Sequence, residues 1–358
     1  MSDKKENIAL VIDSFGNGGI QQAYRSLLKY YANVYKSVFL VVVSRSDNEL
    51  NVPLLPNIYL IRLESSRLAD VRNIINLKKI LSEIEPNIII ASIYRTQLWT
   101  ALVKPKQSKL IWWEQNVYTY RSIFLWGLMR LVLSKVNSVI SVCNEGADLF
   151  EKYTKLRPTV IPNPMTFKVT RDLELKRCDD FIFVGRLIDQ KNPELLLRSF
   201  ALFKNLFGLQ SKLHIVGDGY LLPKLKQLSK TLDIEEDCLF HGWVDNKDIH
   251  NLLKGAKTLL STSRSGGMEI VRLEALASGC AVVTTNTGGT HFFETNSDIG
   301  FIISEPNPDS FSLGMKQSLD KKYWKKSQIS LRCSFIDKFE VDLIGPLIIN
   351  SLQTKSKL

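Results

Sequence analysis

The 358-residue chain has no apolar run near the ~18 residues that a membrane-spanning helix needs, which excludes a helical spanning protein as its reading. Its first apolar stretch, Ile8 to Ile12, stops at Asp13 and is too short for a secretory signal. The five cysteines, Cys143, Cys178, Cys238, Cys280 and Cys333, stand singly without a C-x-x-C pair. That pattern speaks against a zinc site and against a disulfide framework, so a reducing, cytoplasmic setting is expected. No low-complexity tract or internal repeat occurs, and only residues 1–6 and 354–358 read as unstructured. An Asp-x-Asp pair is also absent, and no metal site is expected. Nucleic acid is set aside as a partner because no recognised binding module or helix-borne Lys/Arg cluster is found.

What remains is a globular, enzyme-like composition in a chain too long for one hydrophobic core. Strand-like apolar runs alternate with helix-like segments throughout, the pattern of parallel sheets covered by helices. Two doubly wound α/β domains are expected, joined at Val160-Ile161-Pro162-Asn163-Pro164, where two prolines in three residues stop both helix and sheet. The net charge of +11 is uneven. Residues 1–170 carry 22 Lys plus Arg against 13 Asp plus Glu, and the rest is nearly balanced. A basic first domain can face a phosphorylated substrate or anionic lipid, or can simply be well solvated. The segment from Tyr118 to Lys135, apolar and aromatic with interspersed Arg121, Arg130 and Lys135, reads as a helix that packs into that domain or lies in a membrane interface.

Several motifs carry chemistry. Phe15-Gly16-Asn17-Gly18-Gly19 follows a strand and opens a helix, so it is either a tight turn or a loop whose N–H groups approach a phosphate. Arg186 and Lys191 follow the strand Phe181 to Val184, where open α/β sheets collect ligands. A guanidinium and an ammonium there suit the charge that develops on a departing diphosphate. Gly217-Asp218-Gly219 ends another strand at a turn that is structural or touches ligand.

Val184-Gly185-Arg186-Leu187 with Lys191, then His214 through Gly219, then Gly267 through Glu274-Ala275, then Thr287-Gly288-Gly289 form a fixed series. In this order they resemble the C-terminal domain of the family-4 retaining glycosyltransferases. The resemblance implies an α/β GT-B fold of two doubly wound Rossmann-like domains facing a cleft. Residues 1–164 would bind the acceptor and 165–330 the nucleotide sugar, while 331–358 would cross back to the first domain. It implies retaining transfer of a hexose from a nucleotide diphosphate sugar, with no further cofactor, to a glycan acceptor such as a lipid-linked envelope precursor. That chemistry implies a place in the cytoplasm, free or peripheral on the inner face of the membrane. A nucleotide-sugar epimerase on the same fold and an inactive sugar-nucleotide-binding partner stay open.

By the same resemblance Arg186 and Lys191 are catalytic. Gly18, Gly19, Gly217, Gly267, Met268, Ile270 and Glu274 bind the donor, with Glu274 on the ribose. Glu114, Gln115 and Asn116, in a Trp112-Trp113-Glu114-Gln115-Asn116 segment, bind the acceptor, with glutamine where histidine is common. The family also carries a glutamate eight residues before Glu274, where this chain has Gly266. Three readings follow: Glu269 is the replacement carboxylate, the donor sugar is unusual, or catalysis is impaired.

Overall fold

The computed structural model describes residues 5–16, 18–44, 52–65, 71–117, 121–165, 177–293 and 299–353. Strands covered on both faces need continuous apolar runs, and the runs read above form them. In the first unit these are β1 (Lys5–Ile12), β2 (Tyr35–Ser44), β3 (Ile58–Ser65), β4 (Ile88–Ser92), β5 (Lys109–Glu114), β6 (Ser138–Ser141) and β7 (Thr159–Val160). They alternate with α1 (Gly19–Val34), α2 (Val71–Ile84), α3 (Tyr94–Val103), α4 (Ile123–Val132) and α5 (Asn144–Thr154). The seven strands lie in the order β3-β2-β1-β4-β5-β6-β7 and pair in parallel throughout, with Leu10 opposite Leu40 on one side and Ile90 on the other. Ile8 through Ile12 are fully buried, as strands at the sheet centre must be.

The second unit repeats the plan. Its strands β8 (Cys178–Val184), β9 (Leu213–Val216), β10 (Cys238–Gly242), β11 (Ala256–Ser261), β12 (Ala281–Thr285) and β13 (Gly300–Ile303) form a parallel sheet in the order β10-β9-β8-β11-β12-β13. Helices α6 (Pro193–Phe207), α7 (Leu222–Thr231), α8 (Asn246–Gly255), α9 (Ile270–Ala277), α10 (Pro308–Ser318) and α11 (Lys326–Phe335) belong to it. Phe181 meets Phe200 and Phe203 edge to face at the centre of its core. In each sheet the order reverses direction once, between β1 and β4 and between β8 and β11. Loops at the carboxyl ends of those strands are where such sheets take ligands.

The chain divides into residues 1–166 with 339–358, and residues 167–338. Expected boundaries at 164 and 330 therefore move, the second by eight residues. Residues 331–338 stay with the second unit because the fully buried Arg332 donates to Gly279 O and Tyr323 O. The segment joining the first unit starts at Phe339, whose carbonyl accepts from Met165 N at 2.7 Å. It then forms α12 (Val341–Asn350) against α1, where Tyr31 Oη donates to Gly345 O at 3.2 Å. Of the ends expected to be unstructured, Lys5 and Glu6 extend β1, and residues 354–358 lie outside the described residues. No described helix is long and apolar enough to cross a membrane.

Candidate active site

In the second unit, the loop leaving β8 crosses the loop leaving β9. Gly185 N donates to Val216 O at 3.0 Å, and Leu187 N donates to Asp218 O at 2.9 Å. The approach is so close that a Cβ at Gly217 would sit 2.0 Å from Gly185 O and one at Gly219 2.4 Å from Leu187 O. Gly217 also has a φ of 132°, which side-chain-bearing residues rarely adopt. Backbone packing is therefore one reason for both glycines, whatever ligand they meet. Beyond the crossing, Arg186 is exposed, and no hydrogen bond or ion pair of its guanidinium is found among the described residues.

The loop after β11 is fastened to the loop after β8. Thr262 Oγ1 donates to Lys191 O (2.9 Å) or Asn192 O (3.0 Å), and Arg264 N donates to Gln190 O at 2.9 Å. This fastening brings together residues 78 apart in sequence: Lys191 Nζ forms an ion pair with Glu269 Oε1. Ser263 Oγ donates to the same oxygen at 2.6 Å. Glu269 Oε2 accepts from Ser261 Oγ at 2.5 Å and forms an ion pair with Arg272 Nη2 at 2.9 Å. Burial by itself would raise the Glu269 pKa, but the charges of Lys191 and Arg272 reverse the effect and hold the carboxyl well below its usual range.

Arg272 escaped the sequence reading. It is fully buried, three residues along α9 from Glu269, and donates through Nη2 to Thr287 Oγ1 at 2.6 Å. Its signal was available: it is the lone cation of an otherwise apolar helical turn, Ile270 to Leu273, at i+3 from a carboxylate. The Thr287-Gly288-Gly289 motif therefore braces Arg272. Gly289, at φ 83°, also lies against Met268, whose Cα would be 3.1 Å from an added Cβ. Gly267, Met268 and Ile270 are buried at the entry to α9, where Arg272 N donates to Glu269 O at 3.1 Å. Glu274, inside the same helix, is buried, and no hydrogen bond or ion pair of its carboxyl is found among the described residues; burial pushes it up to about 7.

In the first unit, Gly18 caps α1 and Gly19 begins it, both exposed at the carboxyl end of β1; Asn17 lies outside the described residues. Arg25 Nη2 reaches back to Gly16 O at 2.7 Å and steadies this turn. The three acceptor candidates separate. Glu114 is buried and pairs with the equally buried Arg121 at 3.1 Å, while Gln115 is buried and neither of its amide atoms is hydrogen-bonded among the described residues. Asn116 is half-buried. The structure thus gives Glu114 a partner within the first unit, which the sequence did not indicate.

Residues 171–331 match the family of glycosyl transferases group 1. The group 1 domain so defined spans β8 to α11, including the Lys191–Glu269–Arg272 cluster. Over 225 residues the chain is 31% identical to the UDP-Gal:alpha-D-GlcNAc-diphosphoundecaprenol alpha-1,3-galactosyltransferase of Escherichia coli, covering 60% of this chain and 55% of that one. It is 33% identical over 180 residues to the N-acetylgalactosamine-N,N'-diacetylbacillosaminyl-diphospho-undecaprenol 4-alpha-N-acetylgalactosaminyltransferase of Campylobacter jejuni, covering 49% and 47%. The matches thus span about half the length of these relatives. The Anabaena protein HepE, solved in complex with UDP, superposes with a TM-score of 0.78 at 16% identity over 97% of this chain and all of that one. Its likeness fixes the fold, which is GT-B.

Gly266, where the resemblance led to the expectation of a glutamate, is buried and lies near Glu269. A side chain built there would meet one atom within 4 Å, Glu269 Oε1, at 4.0 Å from its Cβ. The carboxylate of Glu269 therefore stands beside the space into which a glutamate at 266 would project.

Proposed function

We propose that the chain is a retaining, metal-independent hexosyltransferase that moves a hexose from a nucleotide diphosphate sugar to a lipid-linked glycan, an envelope polysaccharide precursor. The observation that carries this reading is the Lys191–Glu269–Arg272 cluster at the strand-order reversal of a group 1 domain, beside an exposed Arg186. The relatives' diphosphoundecaprenol acceptors support the lipid-linked substrate, and the UDP complex of a protein with this fold supports the nucleotide.

In this reading the bond from sugar C1 to the diphosphate breaks while the acceptor hydroxyl adds to the same face of C1. The hydroxyl proton goes to an oxygen of the departing diphosphate. Arg186 and Lys191 meet the negative charge that grows there, the work a divalent cation does elsewhere. Glu269 accepts from a sugar hydroxyl. A carboxylate has about four acceptor sites, and hydrogen bonds from Lys191, Ser263 and Ser261 together with the ion pair to Arg272 leave it little free capacity. Lys191, the most exposed of the two cations, is the partner that leaves: turning to the diphosphate, it frees one site on Glu269 for the sugar.

The same saturation favours a second reading, an inactive nucleotide-sugar-binding subunit in which Lys191 never leaves. Turnover of nucleotide sugar by wild type and Arg186→Ala, with and without chelator, separates the two. The transferase reading expects a loss of ~10²-fold or more in the variant and an unchanged rate in chelator. Full activity in Arg186→Ala, or abolition by chelator, rejects it. Thermal stabilisation by UDP with no turnover on any acceptor establishes the binding subunit instead.

A further inference from the structure

Helix α4 is anchored on one side and bare on the other. Ser122 caps it by accepting from Leu125 N at 3.2 Å. Its inner side is fixed by Trp126, which stacks on Tyr153 at 5.0 Å and meets Phe150 edge to face, with Met129 buried one turn on. The opposite side carries Ile123, Phe124, Leu128 and Leu131, at the i, i+1, i+5, i+8 spacing of one helical face. Ile123, Phe124 and Leu131 are 80%, 76% and 77% exposed. A rigidly held helix that is apolar on both faces leaves its outer face for something other than water.

Charge says what that is. From residue 94 to residue 143 the chain has seven Lys and Arg and a single acid, Glu114, which is buried against Arg121. Arg130, Lys135 and Lys106 are exposed around α4 and the end of α3. Lys104, at the end of α3, is half-buried and donates through Nζ to Ser108 O at 2.7 Å. Of the three acids on α5, Asp148 and Glu151 are both paired with Arg157, and Glu145 lies in the first turn of that helix. An apolar ridge bordered by cations is complementary to a bilayer interface with anionic headgroups, where side chains enter the acyl boundary and cations meet phosphates.

We infer that α4 is the membrane-docking element, inserting Ile123, Phe124, Leu128 and Leu131 into the interface of an anionic bilayer, with Arg130 and Lys135 on the lipid phosphates. This rests on the lipid-linked acceptor proposed above and supplies the route to it. Binding of the full chain to phosphatidylcholine vesicles with and without phosphatidylglycerol tests it. Wild type is expected to bind the anionic vesicles, to release them as salt rises, and to bind neutral ones far less. Phe124→Ser/Leu131→Ser and, separately, Arg130→Gln/Lys135→Gln should each weaken anionic binding about tenfold or more. Both should transfer sugar to a lipid-free acceptor analogue at the wild-type rate, which distinguishes docking from catalysis. Equal binding to both vesicle types, or wild-type binding by the charge variant, overturns the inference. So does a wild type that ignores vesicles but self-associates through this face, with dissociation on Phe124→Ser/Leu131→Ser. Wild-type vesicle binding without turnover on any acceptor would sink the transferase reading and leave the docking surface standing.

Discussion

Glu269 occupies a position where a carboxylate must be both buried and ionised, and two cations plus two hydroxyls make that possible. Its replacement by glutamine keeps shape and hydroxyl contacts but removes the charge that a sugar hydroxyl would feel. Glu269→Gln is expected to leave UDP affinity within a few-fold while lowering kcat about 10²-fold, because an interaction that strengthens in the transition state appears in kcat. Placing a glutamate at 266 alone does not restore the family arrangement, since it would set a second carboxylate against Glu269 Oε1. Like charges at such range disfavour ionisation of both. Gly266→Glu should therefore stay near or below wild-type rate, and Gly266→Glu/Glu269→Gly should recover transfer relative to Glu269→Gln. Steady-state kinetics of the three variants beside UDP titrations decide the matter; equal losses in kcat and UDP affinity for Glu269→Gln would refute a sugar contact.

At the scale of elements, the crossing of the loops after β8 and β9 is a rigid joint that presents Arg186. Gly217→Ala would need both an unfavourable φ and a shift of the Gly185 carbonyl, and is expected to cost about 3 kcal/mol or more. For a unit of this size that is a melting temperature lower by roughly 6–12 °C. Gly16→Ala is the contrast, because an added Cβ there meets nothing within 4 Å, so its cost should stay within about 0.5 kcal/mol. Calorimetry of both variants checks this pair, and a Gly217→Ala protein melting with wild type would show that the crossing yields freely. The helices were legible to the extent that their pattern is local. Pro193–Phe207 starts at a proline, and both it and Ile270–Ala277 carry a local apolar period. Helix α3 was not foreseen, since Thr96, Gln97 and Thr100 are polar residues on buried positions and break the expected stripe.

For the molecule as a whole, Glu274 links the stability of the second unit to pH. Its carboxyl titrates near 7 in the folded chain and near 4.5 when exposed, so the folded state keeps a proton that the unfolded chain gives up across that interval. The stabilisation is complete below pH 4.5 and fades as pH rises through 7, at no more than ~1.4 kcal/mol per unit. Glu274→Gln carries no such proton. The stability of wild type relative to this variant should therefore fall by about 2–3 kcal/mol from pH 5 to pH 8. Denaturant unfolding of both proteins across that range measures it, and a difference independent of pH contradicts an unpaired buried carboxyl.

The sequence alone determined the two α/β units, their strands and the cations Arg186 and Lys191, because side-chain periodicity and turn residues act over a few positions. The resemblance added the expectation of a carboxylate at Gly266 and offered Glu269 as one possible replacement. Tertiary structure decided which charges meet. Strand order, not sequence distance, sets β8 beside β11 and so joins Lys191 to Glu269 across 78 residues. It buried Arg272 behind that pair, turned Glu114 toward Arg121, and left one face of α4 apolar and bare. These outcomes depend on which surfaces the packed sheets and helices cover, and no local pattern of residues states that.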